Sequence, residues 1–509
     1  MATMFYSAML LTGANLLLRL ISLGFQVYLS GQIGASGIGL LQLTLSVSTL
    51  ALTAGMAGIH TSAMYLTAGE IGSGRKDRLR KVISMCFSYS LFFSTLVALG
   101  VWFFAPRLAE GWIRDGRTIP ALRIFAAFLP VVCLVGVMTG YFTAAGRVKE
   151  LVAVEIGEQL FSMTATVLLL SFWGTDDAGR ACTCVVAGSS LASVMTLFCL
   201  LWQLKVPEGR GSSKGLLTKL LRTSLPLALA DDMRMGISTV ENLMVPRRLG
   251  LYASGGDPLA AYGQVVGMVF PALMFPAAIL FSLSELLIPE LSRCAAGGRK
   301  KRIQYLTERS LRVALLYGLA AGGILFTAAR PLGVLLYKDE EVGRLLQRFA
   351  LLAPMLYLDA VTDDSIKGMG QQVACVRYNT FTNVLDVIFL FFLLPKYGLV
   401  GYFWSFVITH AINFALSIHR LYTVTGVRPR LGQTLRAVLG AVLAGAACVF
   451  IPKTSSLASV LALGTASLSA FAFFGFLLKI WGKEDINWLL GLVHPIDKPK
   501  SRMYNIHKS

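Results

Sequence analysis

Residues 15–39 read NLLLRLISLGFQVYLSGQIGASGIG. The stretch is an apolar helix with one charge, Arg19, near its middle, and it ends in a glycine-rich turn of Gly31, Gly34, Gly37 and Gly39. An arginine at the centre of a membrane helix costs about 2.5–3.5 kcal/mol on insertion scales. Such a charge is tolerated where it faces a polar interior. The stretch therefore implies that other helices surround a wet cavity and that Arg19 faces it.

The rest of the chain supplies those helices. Of 509 residues, 55% are hydrophobic and 14% charged, and the mean hydropathy is +0.67. Apolar runs recur from end to end, each reaching the roughly 20 residues needed to cross a hydrocarbon core about 30 Å thick. This composition excludes a soluble globular protein. It predicts an all-α polytopic membrane protein of about fourteen transmembrane helices. The approximate spans are 5–29, 38–66, 82–104, 120–145, 151–172, 181–204, 222–248, 259–289, 308–328, 342–366, 373–394, 399–424, 434–452 and 455–480. The N-terminus has no basic region and no small-residue cleavage site, so the first helix is expected to be retained.

The net charge of +19 is explained by topology. Alternate loops hold about 30 basic residues, among them Arg75 to Lys81, Arg147, Lys149, Arg299 to Arg302, Arg428, Arg430 and the C-terminal tail. The opposite loops hold about 10, including Arg107, Arg114, Arg117, Arg247, Lys338 and Lys396. A bias that alternates with every span places both termini in the cytoplasm of a plasma-membrane protein. It also matches contact with anionic membrane lipids. Nucleic acid is not an expected partner. The loops at 67–81 and 290–309 read either as short interfacial helices or as solvated basic loops.

No cofactor or metal is expected. Most of the 8 cysteines lie in apolar runs and read as packing residues. Cys182 and Cys184 have no histidine or further cysteine nearby. No phosphate-cradling glycine loop and no nucleophile–base spacing stands out, so the chain does not read as an enzyme.

An internal repeat is visible. Residues 143–174 lie without gaps over residues 367–398, pairing Gly146 with Gly370, Gln159 with Asn383 and Gly174 with Gly398. The shift is six helices, so both copies cross in the same direction. That implies two parallel six-helix lobes around a central cavity, plus two extra C-terminal helices. The divisions are 1–204, 205–425, 426–480 and a cytoplasmic tail at 481–509.

Ionisable and polar residues inside spans are functional candidates. Besides Arg19 they include His60, Glu155, Glu158, Asp231, Asp232, Arg234, Glu241, Asn242, Glu285, Asp359, Asp363, Asp364, Asp386, His410 and Asn413. Several have a structural alternative. His60 and His410 read equally as packing histidines, Glu158 as a hydrogen-bonding cap, and the paired aspartates as residues near span ends.

These features resemble the multidrug/oligosaccharidyl-lipid/polysaccharide exporter superfamily. Within it, the chain is most similar to the stage V sporulation protein B and polysaccharide biosynthesis group, relatives of the lipid II flippases. The carrying segments are Arg19 with IGASGIG at 33–39, LTAGMAGIHTSAMYLTAGE at 52–70 and TGYFTAAG at 139–146 followed by Glu158 and Gln159. AYGQVVGMVFPALMFPAAILFSLSELLIPELS at 261–292 and LLPKYGLVGY at 393–402 complete the likeness, which spans about 1–425. Gln26 stands where the family usually has a second arginine, and Thr139 and Thr143 replace an arginine and a glutamine.

The resemblance implies a flippase for an undecaprenyl-pyrophosphate-linked glycan, working by alternating access. Arg19, Gln26, Arg234 and Asn242 would then form the substrate-binding set. His60, Glu155, Glu158 and Asp386 would shape the cavity or couple Na+ or H+. A cation-coupled multidrug antiporter of the same superfamily is the alternative, and a non-transporting scaffold for wall synthases is a third reading.

Overall fold

The computed structural model describes residues 2–73, 76–173, 177–204, 215–252, 256–427, 431–451 and 454–480. The expected tail at 481–509, most of the lobe junction after Leu204, and Arg428 and Arg430 lie outside these residues.

The described chain is helical throughout. Helix α1 runs Ala2–Met56, α2 Ile59–Gly72, α3 Leu79–Arg107, α4 Ile119–Ala144, α5 Val148–Trp173 and α6 Ala178–Trp202. Then come α7 Leu216–Leu249, α8 Pro258–Tyr262, α9 Phe270–Met274, α10 Ala277–Ala296, α11 Lys300–Tyr337 and α12 Glu340–Ala350. The last are α13 Ala353–Gly368, α14 Gln372–Thr425, α15 Leu431–Ala447 and α16 Leu457–Leu477.

Two of these helices each serve as two spans. The 55 residues of α1 would reach about 80 Å at 1.5 Å per residue, far more than a bilayer needs. The helix breaks at Gly34, with φ 68° and ψ 179°. The 54 residues of α14 break in the same way at Gly398, with φ 56° and ψ −135°. Nine helical segments among the described residues are long and apolar enough to cross a membrane, or up to eleven with two bent pairs. With α1 and α14 each counted twice, and with α7, whose four charges at Asp231, Asp232, Arg234 and Glu241 keep it out of that count, the fourteen expected spans are accounted for.

Two spans are less regular than their sequence suggests. The span at 259–289 is broken into α8, a π-helical stretch at Gly263–Val269, α9 and α10, with a 62° bend before α10. Pro271 and Pro276 lie in this stretch and each removes a backbone donor. The pair α12 and α13 is bent by 55°, with Pro354 opening α13. Among the described residues neither basic loop forms a separate interfacial helix of any length. Only Lys76–Arg78 makes a single 3-10 turn, and at the second loop α10 runs on to Ala296 before α11 starts at Lys300.

Packing separates two lobes. In the first, α3 packs on α4 and α5 on α6, with α4 on α6. In the second, α11 packs on α12 and α13, and α13 on α10 and α14. Helix α7 lies against both α14 and α1, and α15 and α16 attach to α11.

The backbone repeats at the offset that lays 143–174 over 367–398. Helix α4 ends at Ala144 and α5 starts at Val148; α13 ends at Gly368 and α14 starts at Gln372. The intervening Gly146 and Gly370 have φ of 72° and 74°, a region that favours glycine. The same offset relates Arg114 (φ 65°) to Lys338 (φ 54°). Each is followed by an aspartate cap. Asp115 accepts from the Arg117 amide, and Asp339 from the amides of Glu341 and Val342.

The lobes touch at both ends of their interface. At the end away from the basic loops, glycines let α1 and the stretch after Asp257 approach closely. A Cβ on Gly39 would lie 2.2 Å from the Leu259 carbonyl oxygen, and one on Gly263 would lie 2.1 Å from that of Ala35. There, too, the Ser36 hydroxyl donates to the Asp257 carboxylate, and Arg247 donates to the Gly111 carbonyl at 2.9 Å. At the basic end, a Cβ on Gly58 would lie 2.5 Å from the Ser224 carbonyl oxygen.

Candidate functional site

The candidate residues fall into three groups. The first lies where α1 meets the second lobe. Arg19 is exposed, and its guanidinium sits 5.2 Å from the ring centroid of Phe281 on α10. A cation over an aromatic face is held by the ring quadrupole while its N–H groups stay free to bind oxygen. About two helical turns on, Gln26 donates from Nε2 to the Gly267 carbonyl at 2.6 Å, in the π-helical stretch. A π-turn leaves the regular helical pairing and often marks a working part of a helix. Gln26 thus ties the two lobes together through its amide.

The second group lies on α7. Arg234 is exposed and pairs with Asp231 one turn earlier at 4.0 Å, with side chains 64% and 50% exposed. At that exposure the pair adds little to stability, so the arginine is available to another anion. Arg19 and Arg234 stand on different lobes, each with its own neighbour. Asn242 is more constrained. It donates to Ser46 Oγ at 3.2 Å and accepts from Tyr262 at 3.1 Å, which joins α1, α7 and α8.

The third group is acidic. Asp386 on α14 is 9% exposed and accepts from Ser405 at 2.6 Å and Thr409 at 3.1 Å. Glu241 on α7 lies within hydrogen-bonding reach of it. Two carboxyl groups that close repel each other in a low-dielectric interior unless a proton or a cation lies between them. Sequence reading places Glu241 and Asp386 in their spans but cannot join them, because spacing along the chain says nothing about which helices touch.

The sequence of α14 also carries a polar helix face at regular spacing. Ser405, Thr409, Asn413 and Ser417 recur every four residues and so form one stripe of α14. After Asp386, the stripe holds two more carboxylates. Asn413 donates to Asp359 at 2.9 Å and Ser417 donates to Asp363 at 2.9 Å.

The remaining candidates stand apart. Glu155 and Glu158 are half-buried on α5 in the first lobe, where Ser193 donates to Glu158 at 3.4 Å. His60 is exposed in the first turn of α2. Cys182 and Cys184 are buried and unpaired in α6. Among the described residues no three histidine, cysteine or acidic side chains are grouped as a metal site.

A two-lobed helical bundle with charged and acidic side chains held at span depth is the architecture of a multi-pass membrane transporter. Comparison with known proteins gives the family. The chain belongs to the polysaccharide biosynthesis protein family, whose model matches residues 6–294. It is 23% identical to stage V sporulation protein B of Bacillus subtilis (strain 168) over 416 residues, covering 78% of this chain and 80% of the relative. It is also 23% identical to the sporulation protein YkvU of the same organism over 235 residues, 44% of this chain and 52% of the relative. The fold matches a structure titled lipid II flippase MurJ, inward closed conformation. The TM-score is 0.72 at 12% identity, over 96% of this chain and all of the other. An inward-facing multidrug resistance MATE family transporter of the MOP superfamily matches with a TM-score of 0.66 at 13% identity, over 81% of this chain and 96% of the other. The fold is that of this superfamily.

Proposed function

We propose that the protein is a flippase that moves an undecaprenyl-pyrophosphate-linked glycan across the plasma membrane by alternating access of its two lobes. The divisions are 1–204 and 205–425, with added helices at 426–480 and a tail at 481–509, and both termini are cytoplasmic. The observation that carries the reading is Arg19, an exposed mid-span arginine held against the opposite lobe through Phe281. A pyrophosphate ester is a compact anion with planar pairs of oxygens, and a guanidinium binds such pairs bidentately. Arg234 supplies a second cation from α7, and Gln26 and Asn242 supply amides. The family membership and the likeness to stage V sporulation protein B support the same substrate class.

Membrane potential favours the outward direction. Each charge moved through 100 mV is worth about 2.3 kcal/mol, so a dianion leaving an inside-negative cell gains about 4–5 kcal/mol. The protein need only open a path and change sides. The Glu241–Asp386 pair supports a further element, in which a proton or Na+ binds between the carboxylates and is released during the cycle. His60, Glu155 and Glu158 then shape the first lobe's side of the cavity.

The test is native mass spectrometry of the full chain with lipid II, other undecaprenyl-pyrophosphate glycans and a cationic dye. Selective lipid-pyrophosphate binding should weaken about 10- to 100-fold in Arg19→Ala, the loss of a charge-assisted hydrogen-bonding group. Dye binding without lipid selectivity would instead support the cation-coupled multidrug antiporter, which the MATE likeness keeps as the second reading. Lipid binding equal to wild type in Arg19→Ala would overturn the role of that residue.

A further inference from the structure

The Glu241–Asp386 pair stands at the inner end of a longer polar seam. The two halves of α14, either side of Gly398, meet α13 along one line, and successive turns of that line carry polar rungs. Asp386 is held by Ser405 and Thr409. Nearer the basic loops, Thr382 donates to Asn413 Oδ1 at 3.3 Å, and Asn413 donates to Asp359 at 2.9 Å. One turn further, Ser417 and Asn379 both donate to Asp363 at 2.9 Å. The last rung joins Arg420 to Gln371, where α14 begins. Beside it Lys367, 39% exposed, pairs with Asp364 at 2.9 Å.

The spacing suits a relay. Asp359 and Asp363 stand one turn apart on α13, about 6 Å along the axis. On α14 the Asn413 rung lies about 6 Å from Thr409 and about 12 Å from Ser405. A hydrogen bond between oxygens spans about 2.8 Å, so one to three hydroxyl or water links cover each step. Asn413 occupies Oδ2 of Asp359; the other oxygen, Oδ1, is buried and has no hydrogen-bond partner among the described residues. That atom is open to a proton from the next rung. The seam is also packed: Ser405 and Ser417 are 0% exposed, and Thr409 and Asn413 3%. A hydrated Na+ needs a passage as wide as its water shell, whereas a proton moves along a single file of oxygens. Neutral side chains would join these helices as well, because interhelical hydrogen bonds in membranes are individually weak. Carboxyl groups are the costly choice there, and chains of them serve as proton relays. The other titratable and charged groups near Asp359 and Asp363 are Asp364 and Lys367 of α13, and Cys375, His410 and Arg420 of α14. Helix α10 contributes the Ser284 hydroxyl, which donates to Asp364, and α11 places Tyr317 against Tyr357.

We propose that this seam is a proton path joining the Glu241–Asp386 pair to the end of the molecule that bears the basic loops. A proton enters beside Asp364 and Lys367, is taken by Asp363, passes to Oδ1 of Asp359, and reaches Asp386 through the Thr382 and Thr409 hydroxyls and intervening water. Each carboxylate gains an O–H bond and loses it to the next oxygen, and each hydroxyl accepts one proton as it gives up its own. One H+ therefore moves and nothing is oxidised. Asn413, an amide, positions Asp359 and carries no proton. The inference rests on the reading of the pair as a coupling site and narrows it: the ion this path delivers is a proton, and it exchanges with the side of the basic loops.

The test is time-resolved infrared spectroscopy of the full chain in detergent after a jump to low pH. The carboxylic acid band of Asp386 is identified by its loss in Asp386→Asn. Asp359→Asn and Asp363→Asn should leave the final height of that band unchanged and slow its rise about 100-fold, the contribution of a positioned proton carrier. Asp363→Glu, which keeps the carboxyl group, should restore the rate. Thr382→Val is close in shape and lacks the hydroxyl, so it should also slow the rise. Monodisperse elution and an unchanged helical circular dichroism signal identify the folded variants, and Thr382→Val decides alone if the aspartate variants do not fold. A rise as fast in the folded variants as in the wild type would overturn the path. A wild type with no Asp386 acid band at any pH would overturn the proton as the ion and leave the pair to Na+. A rise slowed in the variants, together with transport that ignores every imposed gradient, would uphold the path and overturn the coupling reading.

Discussion

Asp386 and Glu241 come from helices in different parts of the sequence, and their carboxyl groups meet in the interior. If the pair binds the proton or cation proposed above, the two groups act as one unit, and neutralising either one removes the shared site. Glu241→Gln and Asp386→Asn should therefore each remove the dependence of transport on an imposed Na+ or pH gradient. The double variant should be no worse than either single one, because residues acting as a unit are non-additive. Proteoliposome transport with each gradient clamped in turn measures this, and additive losses would show that the two residues work separately. Arg19 poses a different question, that of shape against charge. Arg19→Lys keeps the charge and loses the planar fork, so binding of a lipid pyrophosphate should fall between wild type and Arg19→Ala. At this scale the sequence exposes the expensive residues, because a charge within an apolar run is visible without a structure. It does not expose their partners. The use of Gln26, a hydrogen bond to the Gly267 carbonyl, depends on a helix that is more than two hundred residues further on.

Among the elements, the segment from Asp257 to Val269 bears most directly on a change of state. Its π-helical stretch packs on the second half of α1 at a backbone distance that only glycine permits. A side chain on Gly263 would meet the Ala35 carbonyl oxygen at 2.1 Å and the Gly39 amide nitrogen at 2.6 Å, both backbone atoms that cannot swing aside. Gly263→Val should therefore force this end of the lobe interface apart, at a cost of about 1–3 kcal/mol typical of overpacking. A cysteine at Ser36 should then react faster with a water-soluble maleimide than in the Gly263 parent, and the melting temperature in detergent should fall. Unchanged reactivity would mean that the contact does not seal that end. The helices themselves were readable from apolar run length, and Gly34 and Gly398 from the turns they punctuate. The bends at α9–α10 and α12–α13 were less readable, since a proline inside an apolar run kinks one helix and is absorbed by another. The repeat was seen through Gly146 and Gly370, where the conformation demands glycine. Its second landmark is not legible in the sequence, because Arg114 and Lys338 share a positive φ without sharing a residue type.

For the whole molecule, the alternation of basic loops and the fourteen spans stand or fall together, because one missed span would put all later loops on the wrong side. The structure makes this testable at exposed turns. Ser73 ends α2 beside the first basic loop, Ala296 ends α10 beside the second, and Glu340 opens α12 at the opposite end of α11. All three are exposed. Most native cysteines are buried and Cys199 is half-buried, so the background from a membrane-impermeant maleimide should be low. In intact cells Glu340→Cys should be labelled, while Ser73→Cys and Ala296→Cys should be labelled only after permeabilisation. The reverse pattern would invert the protein and turn the voltage argument against outward transfer of a dianion. Labelling of Glu340→Cys and Ala296→Cys from the same side would break the span count between them, since α11 crosses once. The expected pattern places the basic loops at the cytoplasmic leaflet. There anionic lipids are most abundant, and a lipid-linked precursor made inside the cell would enter the space between the lobes.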